Sequence, residues 1–447
     1  MYGIGSENRK NLVSAGELRA LEGQTVAVHG MIQRIRRLGW GAFIVLRRHD
    51  GLLQCVISRE GNEDLIDSLA EEQSVAVTGL VKAAEIRDKS INPGNVEIQV
   101  ESVETISVPS EHPPVDLSKK LLDLHIDTNL DMRPLSLRHP VERARLKVSE
   151  SLAAGFAEFL RSEGFTEIRT PKLGVAGAEG GANIFKVEYF DREAYLAQSP
   201  QFYKQMGVGI YERVFEIGPV FRAEPHQTSR HINEYTSMDF EMGFIRDHRD
   251  VMEMETALLG FCLEKVAEDC SAELALLETE LPDLSEDIPV VTLDEAHRIA
   301  EVITGKDCSS EPDLEPEEER AVCAYSADNW GSEFVFVTHF PTEKRPFYTK
   351  DDPETPGKTL SFDLLFRGLE ITTGGQRIHN YHEQVVKMKD FGLDPSDFQG
   401  YLQAHKYGLP PHGGLAVGLE RLTARLLGVD NIRYTTMFPR DVKRLTP

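Results

Sequence analysis

Five short runs of alternating apolar residues crowd the first hundred positions and leave room for little but a small barrel. Residues 25–35 (TVAVHGMIQRI), 41–48 (GAFIVLRR) and 52–58 (LLQCVIS) read as strands, broken at Leu38-Gly39 and at the turn His49-Asp50-Gly51. A short amphipathic helix from Asn62 to Glu72 follows, then strands near 74–83 and 95–106. Three strands, a helix and two strands is the order of the five-stranded Greek-key barrel called the OB-fold, a frequent oligonucleotide binder. Other small β-barrels share the pattern.

Residues 108–140 hold Pro109, Pro113, Pro114, Pro134 and Pro140 with little periodicity, which reads as a hinge or linker. From Val141 the apolar positions Ala144, Val148, Leu152, Phe156 and Leu160 recur at helical spacing until Gly164 stops the helix. Strands dominate to Phe244, a helix is expected near 249–268, a β-rich stretch at 333–376, and a last helix from Leu419 to Gly428. The acidic stretch at about 270–330, with its run Glu311 to Glu319, reads as a solvated insertion. The expected class is α+β: a barrel domain over 1–107, a hinge over 108–140, and an antiparallel sheet flanked by helices over 141–447.

Composition narrows the function classes. Lys and Arg number 49 against 73 Asp and Glu, a formal charge of −24, so any nucleic-acid contact must be local rather than a general basic surface. No apolar run is long enough to span a bilayer, and Met1 to Lys10 lacks an apolar signal core. Cys55, Cys262, Cys270, Cys308 and Cys323 form neither a CxxC pair nor a Cys/His metal spacing. Sparse, odd cysteines suit a reducing, cytoplasmic setting.

Four constellations could carry chemistry. On a strand through Glu234–Met242, Tyr235, Ser237, Asp239 and Glu241 share one face, leaving Met238, Phe240 and Met242 to the core. A preceding strand through Val220–Glu224 would add Arg222 and Glu224, and the loop between adds Arg230 and His231. A merely solvated sheet face would show the same alternation. In Ser361–Arg377, a two-residue turn at Arg367-Gly368 would pair Phe366 with Leu369 and Asp363 with Thr372. Asp363 and Glu370 would then lie within reach of one Mg²⁺, an ion that takes oxygen ligands and shares them with substrate phosphates. Gly374-Gly375 before Arg377, and the glycine-spaced Gly413–Arg421, leave room for a closely approaching ligand. Finally, Gln198-Ser-Pro-Gln-Phe-Tyr-Lys204 sets polar residues beside a core helix.

Together these segments resemble the class II aminoacyl-tRNA synthetases, and most closely the aspartyl type of archaea and eukaryotes. Motif 1 corresponds to the long helix and Gly164–Pro171, motif 2 to Phe221–Glu224 through Asp239–Glu241, and motif 3 to Gly418–Arg421. The resemblance implies a homodimer built on motif 1, with ATP and L-aspartate as substrates, Mg²⁺ as cofactor and tRNA(Asp) as partner. It implies ATP contacts from Arg222, Glu224, Arg230, His231, Tyr235, Glu370 and Arg421, with Arg222 and Arg421 catalytic. Aspartate would be held by Glu179, Ser199, Gln201, Lys204, Asp239 and Arg377, and the metal by Asp363, Glu370 and Thr373. Lys204 distinguishes the aspartyl from the asparaginyl type, because a carboxylate wants a cation and an amide does not.

On the barrel, the resemblance implies that Phe43 stacks the central anticodon base, Gln54 reads its edge and Arg36 contacts the same loop. Met31 stands where enzymes restricted to one tRNA carry tryptophan, and the last barrel strand, around Ser102, lacks their lysine. That implies a non-discriminating enzyme, which also charges tRNA(Asn) and needs a tRNA-dependent amidotransferase. Ala416 replaces a glycine frequent in motif 3. The rivals are an asparaginyl enzyme and a synthetase-like paralogue that charges no tRNA.

Overall fold

The computed structural model describes residues 13–447 apart from 89, 92–93, 176–182 and 285–286. The chain divides into two compact units, 1–144 and 145–447.

The first unit contains β1 (Thr25–Leu38), β2 (Gly41–Arg48), β3 (Gly51–Ser58), α1 (Glu63–Ser68), β4 (Ser74–Ala83) and β5 (Val96–Ser107). The strands close into a barrel in the order β1-β2-β3-β5-β4, the expected OB-fold arrangement. Long β1 serves two neighbours, pairing through Thr25–Met31 with β4 and through Met31–Leu38 with β2, with a bulge between Ile32 and Arg34. Alternation along β2 sends Ala42, Ile44 and Leu46 into the barrel core and leaves Phe43, Val45 and Arg47 on the outer face. The stretch expected as a hinge is not a free tether. It forms short helices at Ile126–Asp131 and Arg133–Ser136, held by the fully buried Arg133, whose Nη1 donates to Glu142 Oε2 at 2.7 Å.

The helix α2 (Pro140–Ser162) leads into the second unit. Proline at its start and Gly164 at φ +81° beyond its end mark the limits that the sequence suggests. The main sheet comprises β6 (Thr166–Glu167), β10 (Arg213–Phe221), β11 (Glu234–Gly243), β12 (Val290–Thr292), β13 (Phe334–Thr338), β14 (Ser361–Phe366), β15 (Leu369–Gln376) and β16 (His412–Gly418). A small sheet is made by β7 (Leu173–Gly174), β8 (Lys186–Tyr189) and β9 (Arg192–Leu196). The longer of the other helices are α3 (Gln201–Tyr211), α4 (His248–Asp269), α5 (Leu293–Thr304), α6 (Pro316–Trp330), α7 (Tyr381–Asp390), α8 (Gln399–Tyr407) and α9 (Leu419–Leu426).

The main sheet runs β12-β13-β14-β15-β16-β11-β10-β6. It is mixed rather than purely antiparallel: β12 pairs in parallel with β13, and β6 with β10. Parallel neighbours need a long crossover, and α5 and α6 supply one between β12 and β13. One sheet face is covered by Val148, Leu152, Phe156 and Leu160 of α2 and by Val251, Leu258 and Leu259 of α4. These pack on Phe215, Met238, Phe240, Met242, Phe362, Leu364 and Leu415. Each such side chain contributes about 1.5–3 kcal/mol on burial.

The acidic stretch at 270–330 is also not a solvated insertion. Its helices bury Ala296, Ala300, Val322 and Cys323 against Val335 and Val337 of β13. The charge run stands at the start of α6, where Glu315 and Glu318 form a capping box and the positive helix end favours carboxylates. All five cysteines are buried and free; burial pushes the thiols of Cys262 and Cys323 up to about 12 and that of Cys270 up to about 11.

Candidate active site

The polar face of β11 is buried, not solvated: Ser237 is 5% exposed, Asp239 1% and Glu241 0%. Opposite it, Met238, Phe240 and Met242 enter the core as alternation requires. Burying carboxylates this deeply is costly unless cations meet them. Lys204, from α3, donates through Nζ to Asp239 Oδ1 at 3.0 Å and to the Leu415 carbonyl at 2.8 Å, and lies 3.5 Å from Glu241 Oε2. Arg377, just past β15, donates through Nε to Glu241 Oε1 at 3.0 Å and through Nη2 to the Gly414 carbonyl at 2.9 Å. Burial works to raise the Glu241 pKa, but the Arg377 and Lys204 cations outweigh it and hold the carboxyl below its usual range. Beneath them His412 lies against Gln205 Nε2 at 3.0 Å and the Pro410 carbonyl at 2.9 Å; burial keeps its ring neutral, with a pKa lowered to about 4.

A neighbouring pocket is lined by Arg222, Glu224, Arg230, His231, Tyr235 and Ser237, by Glu370 and Thr373 of β15, by Ala416 and Gly418 of β16, and by Arg421 of α9. Arg222 and Glu224 are not on a strand, because β10 ends at Phe221. The chain there is held instead by Asn233, whose Nδ2 donates to the Arg222 and Glu224 carbonyls at 2.7 and 3.0 Å. The Arg222 guanidinium lies 5.7 Å from the centre of the Tyr235 ring. His231 Nε2 is 3.6 Å from Glu224. Burial lowers the His231 pKa, with Glu224 opposing and Arg421 and Arg230 assisting. Arg230 is engaged by Glu319 of α6, its Nη2 donating to both carboxylate oxygens at 2.7 and 2.6 Å. Arg421 Nη1 donates to the Glu370 carbonyl at 3.2 Å and stands 3.7 Å from its carboxylate. Glu420 accepts the Thr236 amide on both oxygens, at 3.0 and 3.1 Å.

The β14–β15 hairpin turns at Arg367-Gly368, and Phe366 faces Leu369 as expected. Asp363, however, faces Thr373 and not Thr372, because a bulge interrupts the pairing after Leu364. Both central turn residues have positive φ, +46° and +81°. Arg367 tolerates this with its guanidinium clamped by Glu333 at 2.7 and 3.0 Å. Asp363 accepts from Arg345 Nη2 at 2.6 Å on Oδ2, while Oδ1 is buried without a hydrogen-bond partner. Burial raises the Asp363 pKa, Arg345 opposes this and the Glu370 charge adds to it. Glu370 is fixed by Thr373 Oγ1 at 2.9 Å. An orphaned carboxylate oxygen beside a second carboxylate fits a Mg²⁺ ion that takes its other ligands from phosphate and water. Among the described residues no cluster of three or more His, Cys, Asp or Glu could hold a metal unaided.

The glycines do not leave the room expected of them. A Cβ at Gly374 would fall 2.3 Å from the Phe362 ring, and one at Gly414 would fall 2.1 Å from the Phe240 carbonyl. They permit close packing of backbone and rings. Only Gly418, whose nearest neighbour would be Arg421 Cβ at 3.7 Å, borders the pocket with space to spare.

On the barrel, Arg36 and Phe43 face each other across β1 and β2, and Gln54 faces the next outward residue of β2, Val45. Gln54 Nε2 donates to Glu97 at 2.8 Å. Trp40, 53% exposed, stands edge-on to Phe43 at 5.3 Å.

The family tRNA synthetases class II (D, K and N) matches residues 125–442, and the OB-fold nucleic acid binding domain matches residues 26–106. The chain belongs to the class II tRNA synthetases. The aspartate–tRNA(Asp/Asn) ligase of Deinococcus radiodurans is 48% identical over 436 residues, spanning 96% of this chain and 98% of that one. The aspartate–tRNA(Asp) ligase of Pyrococcus horikoshii is 38% identical over 432 residues, spanning 96% and 97%. Among solved structures, asparaginyl-tRNA synthetase from Pyrococcus horikoshii complexed with asparaginyl-adenylate aligns with a TM-score of 0.88 at 32% identity, over 97% of this chain and 99% of that one.

In this synthetase most of the catalytic-unit residues named from sequence gather on the polar face of β11 or in the pocket beside it. Lys204 meets Asp239 directly, Lys204 and Arg377 both reach Glu241, and Arg222, Glu224, Arg230, His231, Tyr235, Glu370, Thr373 and Arg421 line one pocket. Ser199 lines a separate pocket with Tyr195, Phe202 and Tyr203, where its Oγ accepts the Gln201 amide at 3.2 Å. Gln201 is 2% exposed with Nε2 unpartnered, and Glu179 lies outside the described residues. Sequence reasoning missed Asn233, Glu319, Arg345, Glu420 and Trp40. Glu319 was hidden in its charge run. Trp40 carried a usable signal, an aromatic three residues before Phe43 in a turn flanked by Gly39 and Gly41.

Proposed function

We propose that this synthetase activates L-aspartate with ATP and charges both tRNA(Asp) and tRNA(Asn) in the cytoplasm, acting as a homodimer built on α2 and β6. The observation that carries the reading is that two buried cations, Lys204 and Arg377, both reach Glu241 on the polar face of β11, a charge arrangement suited to a substrate carboxylate. The Lys204 cation also disfavours the asparaginyl alternative. Relatives named for both tRNAs at high identity, and Met31 in place of tryptophan, support relaxed tRNA choice.

In the first step an oxygen of the aspartate α-carboxylate bonds to the α-phosphorus of ATP as the bond to the β-phosphate oxygen breaks, releasing pyrophosphate. Arg222 neutralises charge growing on the α-phosphate and attacking carboxylate, and Tyr235 stacks on adenine, a reading supported by their sharing one pocket. Arg421 and His231 take the γ-phosphate. Asp363, Glu370 and Thr373 would hold Mg²⁺, which would neutralise phosphate charge. In the second step the 3′-hydroxyl of the terminal tRNA adenosine attacks the adenylate carbonyl carbon and AMP leaves. Positioning and charge neutralisation suffice, with no protein nucleophile. Glu179, Ser199, Gln201 and Asp239 complete the aspartate site, and Arg36, Phe43 and Gln54 take the anticodon. Aspartyl-tRNA(Asn) then requires a tRNA-dependent amidotransferase.

The test is aminoacylation with labelled aspartate, offering tRNA(Asp) and tRNA(Asn) transcripts in separate reactions. Charging of both is expected. Charging of tRNA(Asp) alone would refute the relaxed choice, and charging of neither would refute the reading.

A further inference from the structure

The loop between β10 and β11 has no strand to hold it, yet it brings Arg230 and His231 to the pocket beside β11. An arginine on a loop ordinarily samples many rotamers, and any ligand it contacts must first freeze them. Arg230 is already held. Its Nη2 donates to both oxygens of Glu319, at 2.7 and 2.6 Å. Glu319 comes from α6, 89 residues away, and is only 5% exposed. A carboxylate buried that far keeps its cation firmly, because separation would leave charge unpaired in a dry setting.

Glu319 makes a second bond, accepting the Glu370 amide on Oε2 at 3.3 Å. One carboxylate therefore fixes Arg230 of the loop relative to Glu370 of β15, and both line the same pocket. The helix that carries it is a firm base. Val322 and Cys323 of α6 pack with Val335 and Val337 of β13, and a Cβ at Gly368 of the hairpin turn would fall 2.8 Å from Arg320 Cγ. Glu319 engages Nη2 of the guanidinium and leaves Nε buried without a hydrogen-bond partner. An unmade buried donor keeps its desolvation penalty until an acceptor arrives. A phosphate oxygen is a charged acceptor whose geometry suits a guanidinium held in place.

We propose that Glu319 is a positioning residue for ATP: it presets Arg230, so that the arginine meets the outer phosphates without a further ordering cost. The outer phosphates are the target because Arg230 adjoins His231, placed above at the γ-phosphate. The proposal rests on the reading of Arg230 as an ATP contact. It draws α6, in the stretch that looks from composition like a solvated insertion, into nucleotide binding.

The experiment measures the Kd of ATP and of AMP, with Mg²⁺ but without aspartate or tRNA, for the full-length protein and four variants. These are Glu319→Gln, Glu319→Asp, Arg230→Gln and the double variant Arg230→Gln/Glu319→Gln. Glu319→Gln should weaken ATP by about 10- to 30-fold, the cost of ordering one arginine anew. AMP, which lacks the outer phosphates, should bind nearly as to the parent. Glu319→Asp keeps the charge on a shorter stem and should show the same split at smaller size, which serves where the glutamine variant is too unstable to assay. The double variant should bind ATP no more weakly than Arg230→Gln alone, since Glu319 acts through Arg230. Equal weakening of ATP and AMP would make Glu319 structural and overturn the proposal. Additive losses in the double variant, or tighter ATP binding by Glu319→Gln, would overturn it as well, the latter by making Glu319 a counter-charge that ATP displaces. Weakening by Arg230→Gln with none by Glu319→Gln sinks the proposal alone. An Arg230→Gln variant that binds ATP like the parent sinks it together with the reading of Arg230. Because nucleotide binding is read directly, the result stands apart from which amino acid is activated.

Discussion

Lys204 is 1% exposed and stands between two carboxylates, Asp239 and Glu241, that are themselves buried. Removing one partner of such a cluster leaves uncompensated charge in a dry setting, which costs about 3–5 kcal/mol. Lys204→Met should therefore lose both stability and aspartate activation. Exchange should fall at least about 100-fold, the scale of one missing charged contact, and thermal unfolding should shift down with it. A variant that kept the parental KM for aspartate would remove Lys204 from the amino-acid site. His412 behaves differently, because its ring is buried neutral between Gln205 and the Pro410 carbonyl. Burial lowers its pKa from 6.5 to about 4 in the folded chain. As pH falls the unfolded chain takes up that proton first, so the stability tied to the neutral ring is complete above pH 6.5 and drains away between 6.5 and 4. Chemical denaturation at pH 7 and pH 4.5 should show a smaller drop for His412→Gln than for the parent. Equal drops would assign the acid sensitivity elsewhere.

Between β16 and β11 the spacing is set by glycines, and Gly414 is the tightest. A methyl there would lie 2.1 Å from the Phe240 carbonyl and 2.4 Å from Glu241 Oε2. The Gly414 carbonyl also accepts from Arg377 Nη2. Gly414→Ala should cost roughly 1–3 kcal/mol through overpacking and raise the KM for aspartate by displacing Glu241 and Arg377. Gly418→Ala, with no neighbour closer than 3.7 Å, should leave stability nearly unchanged. Unfolding midpoints of the two variants separate the cases. At this scale the strands were readable from sequence, since period-two alternation in Glu234–Met242 has one solution once Met238, Phe240 and Met242 must be covered. What the alternation could not carry was the bulge after Leu364, which moves Asp363 from Thr372 to Thr373 with no glycine or proline to announce it. The run Glu311–Glu319 was misread for a related reason. Composition reports a charged surface, whereas Glu319 turns inward to Arg230, a partner 89 residues away. Arg345 escaped notice because a lone arginine in a proline-flanked loop has no periodicity to place it against Asp363.

At the scale of the molecule, the proposed function assigns activation and tRNA binding to different units, which would make them separable by mutation. Phe43 belongs to the barrel unit, and its loss should not reach residues past Ala144. Phe43→Ala should raise the KM for tRNA by about 5- to 150-fold, the worth of one stacked base at 1–3 kcal/mol. Pyrophosphate exchange should be unaffected, and equal loss of both activities would contradict the division. The two units also differ in how they shelter sulfur. Cys55 lies inside the barrel, while Cys262, Cys270, Cys308 and Cys323 are buried in the second unit. With every thiol shielded and held protonated by burial, a thiol-specific alkylating probe should react only as fast as each unit opens. Mass spectrometry of timed alkylation would then read two clocks from one native sample, Cys55 ticking with the barrel and the other four with the second unit.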